Sequence, residues 1–201
     1  MLITFEGIDG SGKSTQIQRL ASWLRKEDVT VRTLREPGGT GVSEKIRKLL
    51  LHHPEPMDSV TELLLFSAAR SELVRQQVLP ALERGEVVLL DRFYDSTLAY
   101  QGYGRKAASL QQIHALNELA SHGCKPDLTV YLRLTPGQAV QRLKGEPDRM
   151  ERSGDHFFER VVDGFDALAL EEDRFRVVDA FRSVEEVEKE IRQLVAALLQ
   201  G

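Results

Sequence analysis

The segment Gly7-Ile8-Asp9-Gly10-Ser11-Gly12-Lys13-Ser14 satisfies the pattern G-x-x-x-x-G-K-[ST], a spacing suited to holding a polyphosphate. Glycines let successive backbone N–H groups converge on one concave point, and the helix that follows adds its positive N-terminal end. Lys13 then reaches the β/γ-phosphates and Ser14 can ligate Mg²⁺, so the chemistry indicated is binding of a nucleoside triphosphate. Two further stretches carry charge at comparable places: Arg35-Glu36-Pro37-Gly38-Gly39-Thr40 and Asp91-Arg92-Phe93-Tyr94-Asp95-Ser96. An acid beside a P-loop is a usual holder of Mg²⁺, commonly through its waters, which makes Asp91 the metal-side candidate with Ser14. Arg35 and Arg92 have the fork geometry to grip a second phosphate-bearing substrate; an internal Arg–Asp ion pair that ties loops together is the alternative.

These residues need a scaffold that brings them to one edge. Strand-like apolar runs at 2–6, 29–34, 87–90, 128–132 and 175–178 alternate with helical patterns, the signature of a doubly wound parallel sheet. In such sheets ligands bind beyond the carboxyl ends of the strands, where all three motifs fall. Helix starts are marked by Ser59 with Glu62, Ser109 with Gln112, Ser183 with Glu186, and Thr135 before Pro136. The last helix places Val184, Val187, Ile191, Leu194, Val195 and Leu198 on one stripe, ordinary core packing. Residues 52–58 read as a loop, and the charge-dense stretch 144–156 reads either as a lid or as a solvated connection.

At 201 residues with 41% hydrophobic content the chain suits a single α/β domain spanning 1–201. A net charge of −4 and a pI near 5.8 argue against general nucleic-acid binding. Cys124 is the one cysteine and the five histidines lack metal-site spacing, which fits a reducing cytoplasm. The N-terminal segment lacks a basic region and meets Glu6 early, and the longest apolar stretch, around Leu63 to Ala69, is too short for a bilayer, so neither secretion nor a membrane partner is expected.

The motifs together resemble the thymidylate kinase family: Phe5 to Thr15, Arg35 to Thr40, Phe66-Ser67-Ala68-Ala69-Arg70, and Asp91 to Gln101 occur in the family's order and spacing over almost the whole chain. The resemblance implies a P-loop NTPase fold, a five-stranded parallel sheet of order 2-3-1-4-5 wrapped by helices, with a short lid at about 142–156. It implies transfer of the ATP γ-phosphate to dTMP, with Mg²⁺, ATP as co-substrate, and a homodimer formed through the helix of residues 62–82. Gly7, Asp9, Gly10, Ser11, Gly12, Lys13, Ser14 and Thr15 would hold ATP, with Arg142 stacking on adenine and Arg182 bordering it. Asp9, Arg35, Glu36, Arg92 and Ser96 would contact dTMP. By the same resemblance Phe66 stacks on thymine, Arg70 hydrogen-bonds its exocyclic oxygen, Thr97 and Gln101 meet the base, and Tyr100 disfavours a ribose 2′-hydroxyl. From apolar surroundings alone Phe66 reads as core and Arg70 as surface.

With Gly10 where some relatives carry a P-loop arginine, the catalytic set implied is Lys13, Arg92 and a lid arginine, Arg149, with Arg152 and Lys144 as helpers. An acceptor phosphate is largely dianionic at neutral pH, so no general base is needed, only alignment and charge compensation. The rivals are a P-loop kinase for another acceptor, such as dUMP, dGMP or a deoxynucleoside, and a regulatory protein that binds ATP without phosphorylating a small molecule.

Overall fold

Five strands form one parallel sheet in the order β2-β3-β1-β4-β5, as expected: β1 (Leu2–Glu6), β2 (Val31–Arg35), β3 (Val87–Asp91), β4 (Leu128–Arg133) and β5 (Phe175–Asp179). The structure, a computed structural model, describes residues 1–142 and 155–200. Neighbouring registers align the carboxyl ends, with Phe5 beside Asp91, Arg35 beside Asp91, and Glu6 beside Tyr131. Side chains of the central strands alternate between two apolar layers. Ile3, Phe5 and Leu89 enter the larger core with Ile17, Leu20 and Leu24 of α1 (Lys13–Lys26), whereas Leu2, Val88 and Leu90 enter a smaller one with Leu73, Val74, Val78 and Phe93. Both faces of the sheet are therefore covered, which is why its strands read as unbroken apolar runs.

The other helices are α2 (Gly41–His52), α3 (Ser59–Leu73), α4 (Leu79–Glu83), α5 (Tyr94–Thr97), α6 (Leu110–Ala120), α7 (Pro136–Val140), α8 (Asp155–Glu171) and α9 (Val184–Gln200). Reciprocal caps form at Ser109 with Gln112, Thr135 with Gln138 and Ser183 with Glu186. The Ser59–Glu62 box does not. Asp58 caps α3 instead, its Oδ1 accepting from the N–H groups of Val60 and Thr61, because a carboxylate also answers the helix dipole. Glu62 is thereby released into the interior. The long helix expected over 62–82 continues from α3 through a widened π-turn, Val74–Val78, into α4; Pro80, which has no N–H to give, follows that turn. A second π-turn, Leu98–Gly104, follows α5 and packs against α8. Among the described residues no helix is long and apolar enough to cross a membrane. The lid at 142–156, with Lys144, Arg149 and Arg152, lies outside the described residues except at its margins.

Candidate functional site

The P-loop joins β1 to α1 through glycines whose backbones no other residue adopts without strain. Gly7 has φ +133°, and a Cβ there would sit 2.5 Å from the carbonyl oxygen of Leu132 in the neighbouring strand. Gly12, at φ +90°, is the N-cap of α1 and no side chain caps that helix, so the first-turn N–H groups stay open to an anion. Lys13 Nζ donates to the carbonyls of Gly7 (3.0 Å) and Ile8 (3.1 Å) and lies 3.9 Å from the Asp9 carboxylate. Burial, seconded by Arg92, lowers the Lys13 pKa, while Asp9 works against them. Ser14 donates its hydroxyl proton to Asp91 Oδ2 at 2.8 Å, so the two metal-side candidates meet between the first turn of α1 and the end of β3.

Arg92 is the hub of the site. Its backbone holds φ +67°, a left-handed conformation uncommon outside glycine and characteristic of positions whose surroundings over-determine them. Its guanidinium donates to Gly7 O (2.9 Å), Ser96 Oγ (3.1 Å), Asp9 Oδ1 (2.7 Å) and the Tyr100 hydroxyl oxygen (3.2 Å), with its centre 5.0 Å from the Tyr100 ring. Burial pushes the Asp9 carboxyl up, but Arg92 and Lys13 outweigh it and bring the pKa down to about 2. Arg35 pairs with Glu44 of α2 at 3.0 Å and is half exposed at the P-loop cavity. Both arginines form ion pairs, Arg92 with Asp9 and Arg35 with Glu44, and both line the P-loop cavity.

Two cavities open at this edge. One, lined by Asp9, Gly10, Gly12, Lys13, Ser14, Thr15, Arg35, Asp91 and Arg142 among others, follows the P-loop. The other is lined on one side by Phe66, Arg70, Thr97, Tyr100 and Gln101. Asp9, Glu36, Arg47 and Arg92 line both. Ser96 completes the second cavity, its hydroxyl donating to Glu6 Oε2 at 2.6 Å. Arg142 covers the Phe181 ring at 5.8 Å at the far end of the P-loop cavity, whereas Arg182 turns to Glu190 of α9 and does not line it. Ser11 is buried in the loop and its hydroxyl has no partner among the described residues.

Arg70 is not on the surface: it is 2% exposed and held on three sides, donating to Glu36 Oε2 (2.9 Å), Asn117 Oδ1 (3.0 Å) and Thr97 Oγ1 (2.8 Å). Phe66 is half-buried and faces the cavity rather than the core. The buried Glu36 carboxyl is raised to about 7 by desolvation against the pull of Arg70, and its Oε1 has no partner among the described residues. Beneath Arg92, Glu6 accepts from the Phe93 N–H (2.7 Å) as well as from Ser96; burial, with the charge of Asp95 added, raises its pKa to about 8.

Sequence reasoning passed over Arg47, Glu6, Glu62, Asn117 and Arg174. Arg47 and Leu51 share a face of α2 at i and i+4, and both line the base-side cavity, so the helical period following Thr40 was the available signal for them. Nothing local marks the others, which meet side chains distant in the chain: Gln101 is 39 residues from Glu62, Arg70 is 47 from Asn117, Asp95 is 79 from Arg174 and Ser96 is 90 from Glu6.

A P-loop beside the Ser14–Asp91 oxygen pair, joined through shared arginines to a second pocket lined by an aromatic ring and directed polar groups, is the arrangement of a kinase of small phosphorylated acceptors. The thymidylate kinase profile matches residues 5–191. The chain is 48% identical over 210 residues to the thymidylate kinase of Chlorobaculum parvum, covering 98% of this chain and 96% of that one. It is 43% identical over 199 residues to that of a Thermoanaerobacter species, covering 98% of each. The crystal structure of thymidylate kinase from Ehrlichia chaffeensis superposes with a TM-score of 0.79 at 35% identity, over 97% of this chain and 98% of that one. The chain belongs to the thymidylate kinase family.

Proposed function

We propose that this protein transfers the γ-phosphoryl group of ATP to dTMP, giving dTDP for dTTP synthesis. The observation that carries the reading is the meeting of the two cavities at Asp9, Glu36, Arg47 and Arg92, which lets a triphosphate in one and a monophosphate in the other face each other. ATP would lie along Gly7 to Thr15 with adenine toward Arg142 and Phe181. The oxygen donors Ser14 and Asp91, 2.8 Å apart, suit Mg²⁺ as a hard cation that keeps waters and phosphate oxygens as its remaining ligands. When bound, the cation offsets charge between the phosphates. Lys13 leaves the Gly7 and Ile8 carbonyls for phosphate oxygens, and Arg92, already oriented by Asp9 and Ser96, faces the acceptor phosphate with Arg35. Phe66 supplies a stacking plane for thymine, and Arg70, Thr97 and Gln101 its polar edge, with Glu36 holding Arg70 and Tyr100 closing the sugar side. Arg149 is the lid cation that completes the charge clamp.

A homodimer in the cytoplasm is the accompanying reading. Leu63 and Ala69 of α3 are buried in the subunit, while Val60, Leu64 and Ala68 remain exposed at i, i+4 spacing beside Val42 and Leu49 of α2, an apolar face of the kind that pairs with a second copy. A coupled ADP-release assay with Mg-ATP tests the main proposal, comparing dTMP with dUMP, dGMP, dCMP, thymidine and no acceptor. Strong preference for dTMP is expected; turnover with another acceptor would discard the base-side assignments, and ATP binding without acceptor-dependent turnover would favour a regulatory protein.

A further inference from the structure

Glu62 lines neither of the two cavities, yet its side chain is 1% exposed and its bonds reach the base-side residue Gln101. Its Oε1 accepts from Gln101 Nε2 at 3.0 Å and from Arg105 Nε at 3.3 Å. A carboxylate has no proton to donate, and Arg105 supplies the counter-charge, so Gln101 can meet Glu62 only with the NH₂ end of its amide. The amide is planar, with oxygen and nitrogen on opposite sides, and Gln101 lines the cavity with Phe66, Arg70 and Thr97. Its Oε1 is therefore the end left for a ligand; among the described residues no donor reaches it.

We propose that Glu62 is a positioning residue that selects the base, by pinning the Gln101 amide so that a carbonyl acceptor faces the pocket. This rests on the dTMP placement given above. Arg70 offers a donor and Gln101 an acceptor, the complement of a carbonyl oxygen next to a ring N–H, as in thymine. Cytosine presents the reverse, an amino donor next to a ring nitrogen with a lone pair, and meets two like-to-like contacts in a desolvated pocket. The Gln101 amide alone could satisfy either base by turning over; Glu62 removes that freedom.

The test compares kcat/KM for dTMP and 5-methyl-dCMP, which share methyl, sugar and phosphate, in the unaltered protein, Glu62→Gln and Gln101→Ala. Glu62→Gln can both donate and accept, so the Gln101 amide is freed and the preference for dTMP should fall about 10-fold or more, chiefly through gain by 5-methyl-dCMP. A residue that merely held α3 to the π-turn would lower both substrates in proportion. An unchanged ratio in Glu62→Gln with a collapsed ratio in Gln101→Ala overturns the role of Glu62 alone, and unchanged ratios in both overturn the base-side placement of Gln101 as well. Should Glu62→Gln fail to fold, NMR hydrogen exchange in the unaltered protein with dTMP bound decides: the Gln101 side-chain NH₂ protons should be protected, and exchange at the rate of free glutamine overturns the proposal.

Discussion

Replacing Arg174 with methionine should destabilise the protein far more than its position at the rim of β5 suggests. Arg174 donates through two nitrogens to both oxygens of Asp95, at 2.7 Å each, and also to Thr129, which pairs with Thr4 of the central strand. The guanidinium lies between the rings of Tyr94 (5.2 Å) and Phe175 (5.0 Å). Asp95 is 0% exposed and Arg174 13%, so water screens the pair little. Burial raises the Asp95 carboxyl even with Arg174 present, and methionine would leave it with the Glu172 carboxylate adding to that penalty and the charge of Arg70 offsetting part of it. Removing one partner of a buried pair costs about 3–5 kcal/mol. For a chain of this size, each kcal/mol lowers Tm by about 2–4 °C, so a fall on the order of 10 °C is expected. Because the cost comes from an uncompensated charge, Asp95→Asn in the Arg174→Met background should recover about 2 kcal/mol of it. Urea unfolding followed by far-UV circular dichroism measures the cycle. Asp95 sits between Tyr94 and Ser96 in α5, whose Ser96 and Thr97 line the base-side cavity, so KM for dTMP should rise while ATP affinity holds. A loss under about 1 kcal/mol for Arg174→Met, or a double variant as unstable as the two single losses summed, would refute the reasoning.

Glu6 and Glu36 have folded-state pKa values of about 8 and about 7 against 4.5 ordinarily, so the folded chain keeps protons that the unfolded chain releases. Their contribution is complete below pH 4.5 and lost as pH rises through 7 to 8; the urea midpoint should fall between pH 5.5 and 8.5, and a rise would contradict the assignment. Gly7→Ala puts a Cβ against a backbone oxygen that cannot yield and adds strain of about 1–3 kcal/mol, so calorimetry should record roughly 10- to 100-fold weaker ATP binding. Asp91→Asn should raise the Mg²⁺ concentration for half-maximal rate by about 10-fold or more, since it disturbs the partner of Ser14; an unmoved midpoint would separate Asp91 from the metal. Arg149→Ala should lower kcat by about 100-fold or more with dTMP affinity nearly intact, and an unchanged kcat would remove that arginine from the mechanism.

Strand-end motifs and apolar periodicity were legible in the chain because their causes are local. The glycine spacing of the P-loop, the apolar runs buried on both sides of the sheet, and the stripe of α1 depend on residues a few positions apart, so they identify the fold class and the phosphate end of the site unaided. Even so, Ser59 and Glu62 look like a helix cap until Asp58 takes that place, and Arg70 looks like surface until Glu36, Asn117 and Thr97 surround it. What each buried carboxylate does was decided by tertiary structure alone. Glu6, Glu36, Glu62 and Asp95 are ordinary acids in sequence, and only the distant arginines, amides and N–H groups that the fold brings to them determine which atoms they orient. Such interactions join residues far apart in the chain and leave no period behind, whereas the backbone geometry of a phosphate cradle must be written into adjacent residues.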